Sequence, residues 1–496
     1  MLAAAALVRV WRVDLAQVGY DESSAASLVA AWQHDGRFPL MGIVSSTGIP
    51  NPPAWPYLLA LGLLPFGGPY AAVALGIATG LVSVGLTWAI GRRWFGPWGG
   101  VAAAAFYAGG FWSILLGRSP WQPAFLQVPT LLCLDALLLL ALRRRPWALA
   151  AACGWLALMV QLHYIAAAYA VLVPIAAWPA RRVLRPVHGA GAAVCAVLPL
   201  VPFLLYELHP AVRGRELAFV LGQAAGGSRV DLEAWGLLWT LAGNGGVAGL
   251  GGPSVDDLRI LLGRWASAGL IGVALLAGGL LAAAFGGPMG WRRPWAGWLI
   301  LMWVLVPVVA LARHTLGVLF HYLYLDLPGM ALAVGVAAGW AARTRWRVLP
   351  LAMVGSLAAY AIVSAATLWV VLDFVDRRDA HLGYGMPLRF SLAAGEAARA
   401  AVPVGGQVLV GGRPFDAEVL RFAIGYQVPS RIFDDCREVP PLANGVYLLM
   451  RQDTPGGAAL AQAAAQLLAR VERPGDVYLV YGAPPRPPSL SASGAC

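Results

Sequence analysis

The sequence contains no lysine and little charge of either sign, and this shortage decides its broad class. Only 12% of its 496 residues are charged, 59% are hydrophobic, and the mean hydropathy is +0.68. A water-soluble domain carries about 25% charged residues. The composition therefore excludes a soluble protein of this length and indicates an integral membrane protein.

The basic net charge is not a sign of nucleic-acid binding. The excess of +11 comes from arginine alone, and no basic run is interleaved with stacking aromatics. The arginines form short clusters between apolar segments, as in the cytoplasmic loops of membrane proteins. The five cysteines have no metal-type spacing with histidine. Nothing in the sequence therefore indicates a cofactor, and dependence on a divalent metal stays open.

Hydrophobic runs long enough, or nearly long enough, to cross a bilayer recur along most of the chain. They lie at 70–91, 98–117, 121–142, 147–160, 163–178, 189–207, 265–285, 295–312, 318–340 and 346–372. A short apolar stub at the N-terminus is interpreted as a first helix that is clipped or begins at a misassigned Met. Together these segments predict about eleven crossings.

One segment, 147–178, is too long for a single crossing and short for two. Because arginine clusters flank it on both sides, an even number of crossings is required. We therefore predict two short helices that turn at the polar "QLHY", Gln161 to Tyr164.

Arginine clusters in every second connection predict which connections are cytoplasmic. They are Arg92 and Arg93; Arg143 to Arg145; Arg181, Arg182 and Arg185; Arg292 and Arg293; and Arg343, Arg345 and Arg347. The loops 14–69 and 209–264 and the turn at Gln161 to Tyr164 then lie outside the cytoplasm. Short interfacial helices are expected in the second loop at "VDLEAWGLL" and "SVDDLRILL".

The composition changes at about Asp376, where charge returns. Strand-like runs ("QVLVGG", "GVYLLM", "DVYLVYG") alternate there with helical ones ("AEVLRFAIGY", "AALAQAAAQLLARV"). This predicts a membrane module at 1–375, a soluble α/β domain at 376–485 and a flexible tail at 486–496. The predicted fold class is a polytopic α-helical membrane protein with a small extracytoplasmic C-terminal α/β domain.

Polar groups near the membrane converge on the external side in this topology. Asp21 and Glu22 precede an apolar helix predicted from Ser23 to Trp32. Arg118, the turn at 161–164 and the region of 313–321 lie on the same side. A carboxylate base and a guanidinium that clamps phosphate would suit chemistry on polyanions and hydroxyls at a membrane surface.

Each of these residues also has a purely structural interpretation. Asp21 and Glu22 could cap their helix, and Arg118 could be an interfacial anchor. Asp326 is harder to explain, because a carboxylate inside a membrane segment normally faces a cavity or partner. Bundle histidines and an aromatic belt would account for the remaining residues: His163, His321, Trp112, Trp121, Tyr322 and Tyr324.

Five segments carry a family resemblance: "YDESSAASLVAAW", "NPPAWPYLLALGLLPFG", "GRSPWQPAFL", "GWLALMVQLHYIAAAYAVLVP" and "FHYLYLDLPGMAL". In this order they resemble the GT-C membrane glycosyltransferases, within them the protein O-mannosyltransferases and aminoarabinose (lipid A) transferases. The resemblance covers roughly Ala5 to Ala342.

The resemblance implies a glycosyltransferase of the inner or plasma membrane. It would move a hexosyl or pentosyl group from a polyprenyl-phosphate donor to a hydroxyl of a lipid, glycan or protein acceptor on the extracytoplasmic face. Asp21 matches the family's catalytic carboxylate and would be the general base, with Glu22 assisting in positioning.

Further site residues also follow from the resemblance. Arg118, His163 and His321 would neutralise the departing phosphate. Some relatives carry lysine where this chain has Asn51 and His163, and Asn51 can hydrogen-bond a phosphate but cannot neutralise it. The residues expected to line the substrate are Trp121, Gln122, Gln161, Tyr164, Tyr322 and Asp326.

The alternative function is a multi-span transporter or flippase of lipid-linked substrates. Transporters are expected to show internal repeats and broken helices at matching places in two halves, and no such symmetry is visible in the sequence. An inactive scaffold would leave the external acidic and basic groups without a role.

Overall fold

The computed structural model describes residues 1–45, 48–210, 212, 229–263, 265, 267–285, 294–315, 317–346, 348–451, 454–486 and 488. Most of these residues are helical, and a five-stranded sheet lies near the C-terminus. Within the described ranges, six helical segments are long and apolar enough to cross a membrane: Gly68–Phe95, Gln122–Arg143, Pro186–Glu207, Ser267–Phe285, Phe320–Ala341 and Val348–Arg377. The chain is a multi-pass membrane protein, and the predicted total of about eleven crossings stays a prediction.

The helices before the sheet follow the predicted hydrophobic runs closely. The α-helices are Leu2–Val10, Tyr20–Asp35, Ala54–Phe66, Gly68–Phe95, Pro97–Gly109, Phe111–Leu116, Gln122–Arg143, Trp147–Leu162, Leu172–Ala177, Pro186–Val197, Val201–Glu207, Glu233–Ala242, Val255–Leu262, Leu270–Phe285, Pro294–Leu311, Leu327–Ala341 and Val348–Arg377. Short 3₁₀ segments connect or extend them at Val13–Leu15, Tyr164–Val171, Trp178–Ala180, Leu198–Leu200, Val247–Ser254, Ser267–Gly269 and Phe320–Asp326.

Two features of this helical part differ from the predictions. The run 98–117 is not one helix, because Gly110 is extended (ψ 134°) and the N–H of Phe111 donates to Asn244 Oδ1 (3.1 Å) rather than to the preceding turn. The predicted external loop 14–69 contains a largely buried apolar helix, Ala54–Phe66, in addition to the expected helix at its start.

The predicted break in 147–178 is confirmed. The helix Trp147–Leu162 ends at His163, whose backbone is extended (φ −158°, ψ 121°), and a 3₁₀ segment begins at Tyr164. The helices on both sides of this break pack against Gln122–Arg143. His163 is therefore held at the junction of three helical elements.

The predicted C-terminal strands form one mixed sheet. Two-residue strands β1 (Arg229–Val230) and β2 (Arg313–His314) pair earlier in the chain; the sheet itself contains β3 (Gln407–Gly411), β4 (Ser430–Phe433), β5 (Gly445–Leu449), β6 (Leu467–Arg473) and β7 (Asp476–Gly482). Its order is β4-β3-β5-β7-β6, with β4, β3 and β5 parallel and β7 and β6 antiparallel to their neighbours. The helices Leu388–Ala401 and Pro414–Ile424 cover one face, and Pro455–Gln462 covers the other.

One C-terminal prediction was wrong. The run "AALAQAAAQLLARV" was expected to be helical throughout, but the helix ends at Gln462 and the second half forms β6. Ala464 has a positive φ of 57°, which a helix does not accommodate. Leu467 to Arg473 instead pair antiparallel with β7, and this pairing overrides the helical propensity of the run.

The C-terminal sheet and its helices, here called the sheet unit (residues 388–482), pack against the N-terminal segment. The Leu388 N–H donates to the Ala16 carbonyl (3.1 Å), and just before the unit the Tyr384 hydroxyl donates to the Leu15 carbonyl (2.6 Å). The helix Pro414–Ile424 lies against Tyr20–Asp35. The N-terminal segment and the sheet unit therefore meet at the helix Tyr20–Asp35, which carries the acidic pair.

Candidate active site

The acidic pair lies inside the first turn of its helix. The helix begins at Tyr20, earlier than the predicted Ser23. Glu22 Oε2 accepts from the Gly19 N–H (2.9 Å), and Glu22 Oε1 accepts from the Ser119 hydroxyl (3.3 Å). Glu22 is buried and both its oxygens are engaged. It therefore caps the helix and fixes the helix start to the loop 117–121.

Asp21 has a different environment. Its side chain is half-buried, and its Oδ2 accepts from the Trp121 indole N–H (3.2 Å). In the described part of the chain it makes no capping bond. The capping interpretation therefore holds for Glu22, whereas Asp21 does not cap the helix and faces Trp121.

Burial raises the pKa of both carboxyl groups. It raises the pKa of Asp21, and the Trp121 hydrogen bond acts in the opposite direction. Burial, followed by the nearby charge of Asp21, raises the pKa of Glu22 to about 7. A carboxylate with a raised pKa is a better proton acceptor than an exposed one. Asp21, which is not used for capping, is therefore suited to taking a proton from a hydroxyl.

Aromatic rings and two histidines continue from Asp21 through Trp121. The Trp121 ring centroid lies 5.2 Å from that of His321 and 6.0 Å from that of Tyr324. His163 lies 5.8 Å from His321 and 5.3 Å from Tyr322, ring centroid to ring centroid. The structure thus brings together residues that are distant in sequence, and Asp21, Trp121 and the two histidines form one cluster, here called the carboxylate–histidine cluster.

Neighbouring elements hold this cluster in place. Trp121 immediately precedes the helix Gln122–Arg143, and the Gln122 side-chain amide donates to the carbonyl of Leu162, the residue before His163. Gln122, predicted to line the substrate, therefore joins the Trp121 loop to the His163 turn. His321 lies on the 3₁₀ segment Phe320–Asp326.

The loop 117–121 is fixed on two further sides. The Trp55 indole N–H donates to the Pro120 carbonyl (3.1 Å), so the helix Ala54–Phe66 holds the loop that presents Trp121. Gly76 approaches from Gly68–Phe95, and a Cβ at that position would lie only 2.5 Å from the Ser119 carbonyl oxygen. Close backbone packing therefore sets where Ser119 and Trp121 point.

In the described contacts, Arg118 bonds to the N-terminal segment and not to the acidic pair. Its side chain is fully buried, and Nη2 donates to the Arg12 carbonyl (2.5 Å). Its Nε and Nη1 have no partner within the described ranges. Burial lowers the pKa of Arg118, while Tyr384 and Asp14 act in the opposite direction. The predicted contact of Arg118 with phosphate stays a prediction.

The Asn51 loop borders the His163 turn. Asn51 donates through Nδ2 to the Ile43 carbonyl (3.3 Å), and the Tyr164 hydroxyl donates to the Pro50 carbonyl (2.8 Å). Asn51 and Tyr164 therefore lie close to His163 in the fold, and their roles toward substrate stay predictions.

Two other predicted lining residues contact different parts of the bundle. The Gln161 amide donates to the Pro199 carbonyl, away from Asp21. Asp326 is fully buried and accepts from the Tyr169 hydroxyl (2.6 Å), whose ring stacks on Trp303 at 3.9 Å between centroids. The described contacts do not bring either residue to the carboxylate–histidine cluster.

Possible metal ligands lie outside this cluster. Asp231, Glu233 and His314 have ligand atoms within 4.8 Å of one another, and so do Asp434, Asp435 and Cys436. Asp231 Oδ2 and His314 Nε2 already lie within hydrogen-bond distance of each other (3.1 Å), and Cys436 is disulfide-bonded. Neither group contains a residue predicted to act on substrate. Dependence on a metal stays open.

Sequence reasoning missed Ser119 and Tyr426. Ser119 links Glu22 to the loop that carries Trp121, since its hydroxyl also accepts from the Trp121 N–H (3.3 Å). Tyr426, in the sheet unit, donates to the carbonyl of Ser23 (2.8 Å). Ser119 lies in the segment "GRSPWQPAFL" but carries no charge that would single it out, and only the packing of distant segments shows the roles of both residues.

The helical bundle followed by a C-terminal α/β unit has the GT-C fold expected from the resemblance. ArnT from Cupriavidus metallidurans bound to undecaprenyl phosphate is similar to the chain at a TM-score of 0.61 and 17% identity, over 97% of each chain. Apo ArnT from the same organism gives a TM-score of 0.58 and 16% identity, over 97% of this chain and 96% of that one. No family model and no curated protein sequence matches the chain. At these identities the likeness establishes the fold alone.

Proposed function

We propose that this protein transfers a sugar from a polyprenyl-phosphate donor to an acceptor hydroxyl at the extracytoplasmic face of the membrane. The observation that carries the proposal is Asp21, a half-buried carboxylate that is not used for capping and is hydrogen-bonded to Trp121 beside two histidines. The fold shared with ArnT bound to undecaprenyl phosphate supports the choice of donor class.

Asp21 is the general base in this reaction. It takes the proton of the acceptor hydroxyl while the oxygen lone pair attacks the anomeric carbon of the sugar. The bond from that carbon to the phosphate oxygen breaks, and polyprenyl phosphate leaves with the electron pair. Positioned bases of this kind accelerate reactions by about 10² to 10⁴. Glu22 keeps the helix start, and so Asp21, in place.

In the proposed reaction, the leaving phosphate lies against His163 and His321. His163 and His321 lie ring to ring at 5.8 Å between centroids, and both can donate N–H bonds to phosphate oxygens. Asn51 lies on the loop that borders His163 and can add a hydrogen bond. Arg118, on the loop that presents Trp121, adds positive charge that favours the leaving phosphate. The acceptor is a lipid, glycan or protein hydroxyl, and the sugar is a hexose or a pentose.

A reconstituted transfer assay tests the proposal. The purified full chain in liposomes is supplied with radiolabelled polyprenyl-phosphate hexoses and pentoses and with cell-envelope acceptors, and release of polyprenyl phosphate is measured. Asp21→Asn is expected to reduce transfer by at least about 100-fold. Asp35→Asn, at the exposed other end of the same helix, is the matched control and is expected to transfer at the wild-type rate.

Equal transfer by Asp21→Asn and wild type would contradict the assignment of the base. Absence of transfer from every donor, with labelled lipid moving between leaflets, would favour the transporter or flippase instead.

A further inference from the structure

The sheet unit touches the Asp21 helix at its first turn. The Tyr426 hydroxyl donates to the Ser23 carbonyl (2.8 Å). The Phe415 ring meets the Tyr20 ring edge-on, at 4.6 Å between centroids and 66° between planes. Tyr20 and Ser23 stand on either side of Asp21 and Glu22 in sequence. The two contacts therefore bracket the acidic pair.

Tyr426 is itself held in a fixed orientation. The Arg421 guanidinium carbon lies 5.3 Å from the centre of its ring, and Phe422 stacks beside it at 5.9 Å between centroids. Arg421 is paired in turn with Glu418 (3.4 Å). A hydroxyl on a ring packed in this way points in one direction, so its bond to Ser23 defines a position of the helix.

The membrane module holds the same turn from another side. Ser119 and Trp121 contact Glu22 and Asp21 through hydrogen bonds of 3.3 and 3.2 Å. Asp21 and Ser23 are about 200° apart around a helix axis, so the two sets of contacts lie on roughly opposite sides. The first turn therefore lies between the loop 117–121 and the sheet unit and contacts both.

Small rotations of this helix would displace the base. A carboxylate about 6 Å from the helix axis moves by about 1 Å for each 10° of rotation. A displacement of about 1 Å from a productive geometry can reduce catalysis by about 100-fold. A contact that fixes the rotation of Tyr20–Asp35 therefore bears directly on the rate.

We infer that the sheet unit is a working part of the transferase, in which Tyr426 and Phe415 are positioning residues that hold the first turn of Tyr20–Asp35, and with it Asp21, against Trp121. This inference rests on the proposed transfer reaction. It assigns the C-terminal unit a role in the rate of transfer, acting through the placement of Asp21.

Tyr426→Phe tests the inference because it removes only the hydroxyl. We expect kcat to fall about fivefold to tenfold, which is the effect of one lost hydrogen bond, with the KM for the polyprenyl-phosphate donor unchanged. Tyr447→Phe is the matched control, since its hydroxyl donates to the Pro440 carbonyl (2.7 Å) within the sheet unit. That variant is expected to keep the wild-type kcat.

A double-mutant cycle separates positioning from a general loss of structure. If Tyr426 acts through Asp21, adding Tyr426→Phe to Asp21→Asn causes no further loss of the residual transfer. Independent, multiplicative losses would overturn the inference, and so would a wild-type kcat in Tyr426→Phe.

Hydrogen–deuterium exchange of a peptide covering 18–28 gives a readout that does not depend on activity. Exchange is expected to rise in Tyr426→Phe and to stay at the wild-type level in Tyr447→Phe. If the transfer assay shows no transfer from any donor but exchange rises as expected, the proposed function fails. The contact between Tyr426 and the first turn of Tyr20–Asp35 is then still supported. Unchanged exchange in Tyr426→Phe would show that Tyr426 does not hold the first turn of Tyr20–Asp35, and would overturn the inference whatever the transfer assay gives.

Discussion

Glu22 is a buried carboxyl group that caps a helix, and this combination makes stability depend on pH. Its pKa is raised from an ordinary 4.5 to about 7, chiefly by burial. As pH rises from about 4.5 to about 7, the unfolded chain loses this proton while the folded protein keeps it. The free energy of unfolding therefore falls across this window and levels off above it.

Glu22→Gln is expected to reduce that fall in stability, because glutamine retains the cap acceptor without a charge. The measurement is the melting temperature in detergent as a function of pH from 4 to 8. Glu396→Gln, on an exposed side chain of Leu388–Ala401, serves as the control and should keep the wild-type profile. A profile for Glu22→Gln as steep as wild type would show that Glu22 does not carry the dependence.

Individual residues differ in how far the sequence could assign them. The acidic pair was recognisable because carboxylates are scarce in this chain and the surrounding segment resembles a family's Asp-Glu loop. The division of labour between Asp21 and Glu22 was not predictable, since it depends on bonds to Ser119 and Trp121, about 100 residues away. For Arg118 the charge was visible but the direction of its guanidinium was not, because packing turns it toward Arg12.

At the scale of elements, glycines permit a close helix contact in the bundle. Gly335 of Leu327–Ala341 and Gly99 of Pro97–Gly109 face each other, and a Cβ on Gly335 would lie 2.7 Å from the Gly99 carbonyl oxygen. Small residues at such crossings let membrane helices approach closely. These two helices form part of the scaffold behind the site.

Gly335→Ala is expected to destabilise the bundle by about 1–3 kcal/mol, the usual effect of overpacking. The measurement is the melting temperature of the purified protein. Gly355→Ala is the matched control, because Gly355 lies in the helix Val348–Arg377 and a Cβ added there would meet no described atom within 4 Å. The control should melt at or above the wild-type temperature, and a similar loss in both variants would refute the role of the crossing.

Most helices could be predicted from hydrophobic runs, and the break at His163 followed from length and arginine parity. The interruption at Gly110 could not, because it depends on Asn244, far along the chain. The helix Ala54–Phe66 was missed since it is shorter than a full crossing. In the sheet unit, alanine-rich composition suggested helix where pairing with β7 imposes β6.

At the scale of the whole molecule, the arrangement of arginines and the packing of the bundle are consistent. Alternate arginine clusters predict that Asp21, Trp121, His163 and His321 lie on one side of the membrane. In the structure these residues form a single cluster. The parity of the crossings predicts only that the residues share a side, and the packing of the bundle brings them into contact. Which face of the membrane they occupy remains a prediction.

Cysteine labelling in right-side-out membrane vesicles tests that prediction most directly. Cys133, Cys153 and Cys195 are free thiols and are replaced by alanine, and one cysteine is introduced at exposed Arg37, just after the Asp21 helix, or at exposed Arg145. A membrane-impermeant thiol reagent is expected to label Arg37→Cys in intact vesicles and Arg145→Cys only after permeabilisation. Labelling of both positions from outside, or of Arg145→Cys alone, would contradict an extracytoplasmic site for sugar transfer.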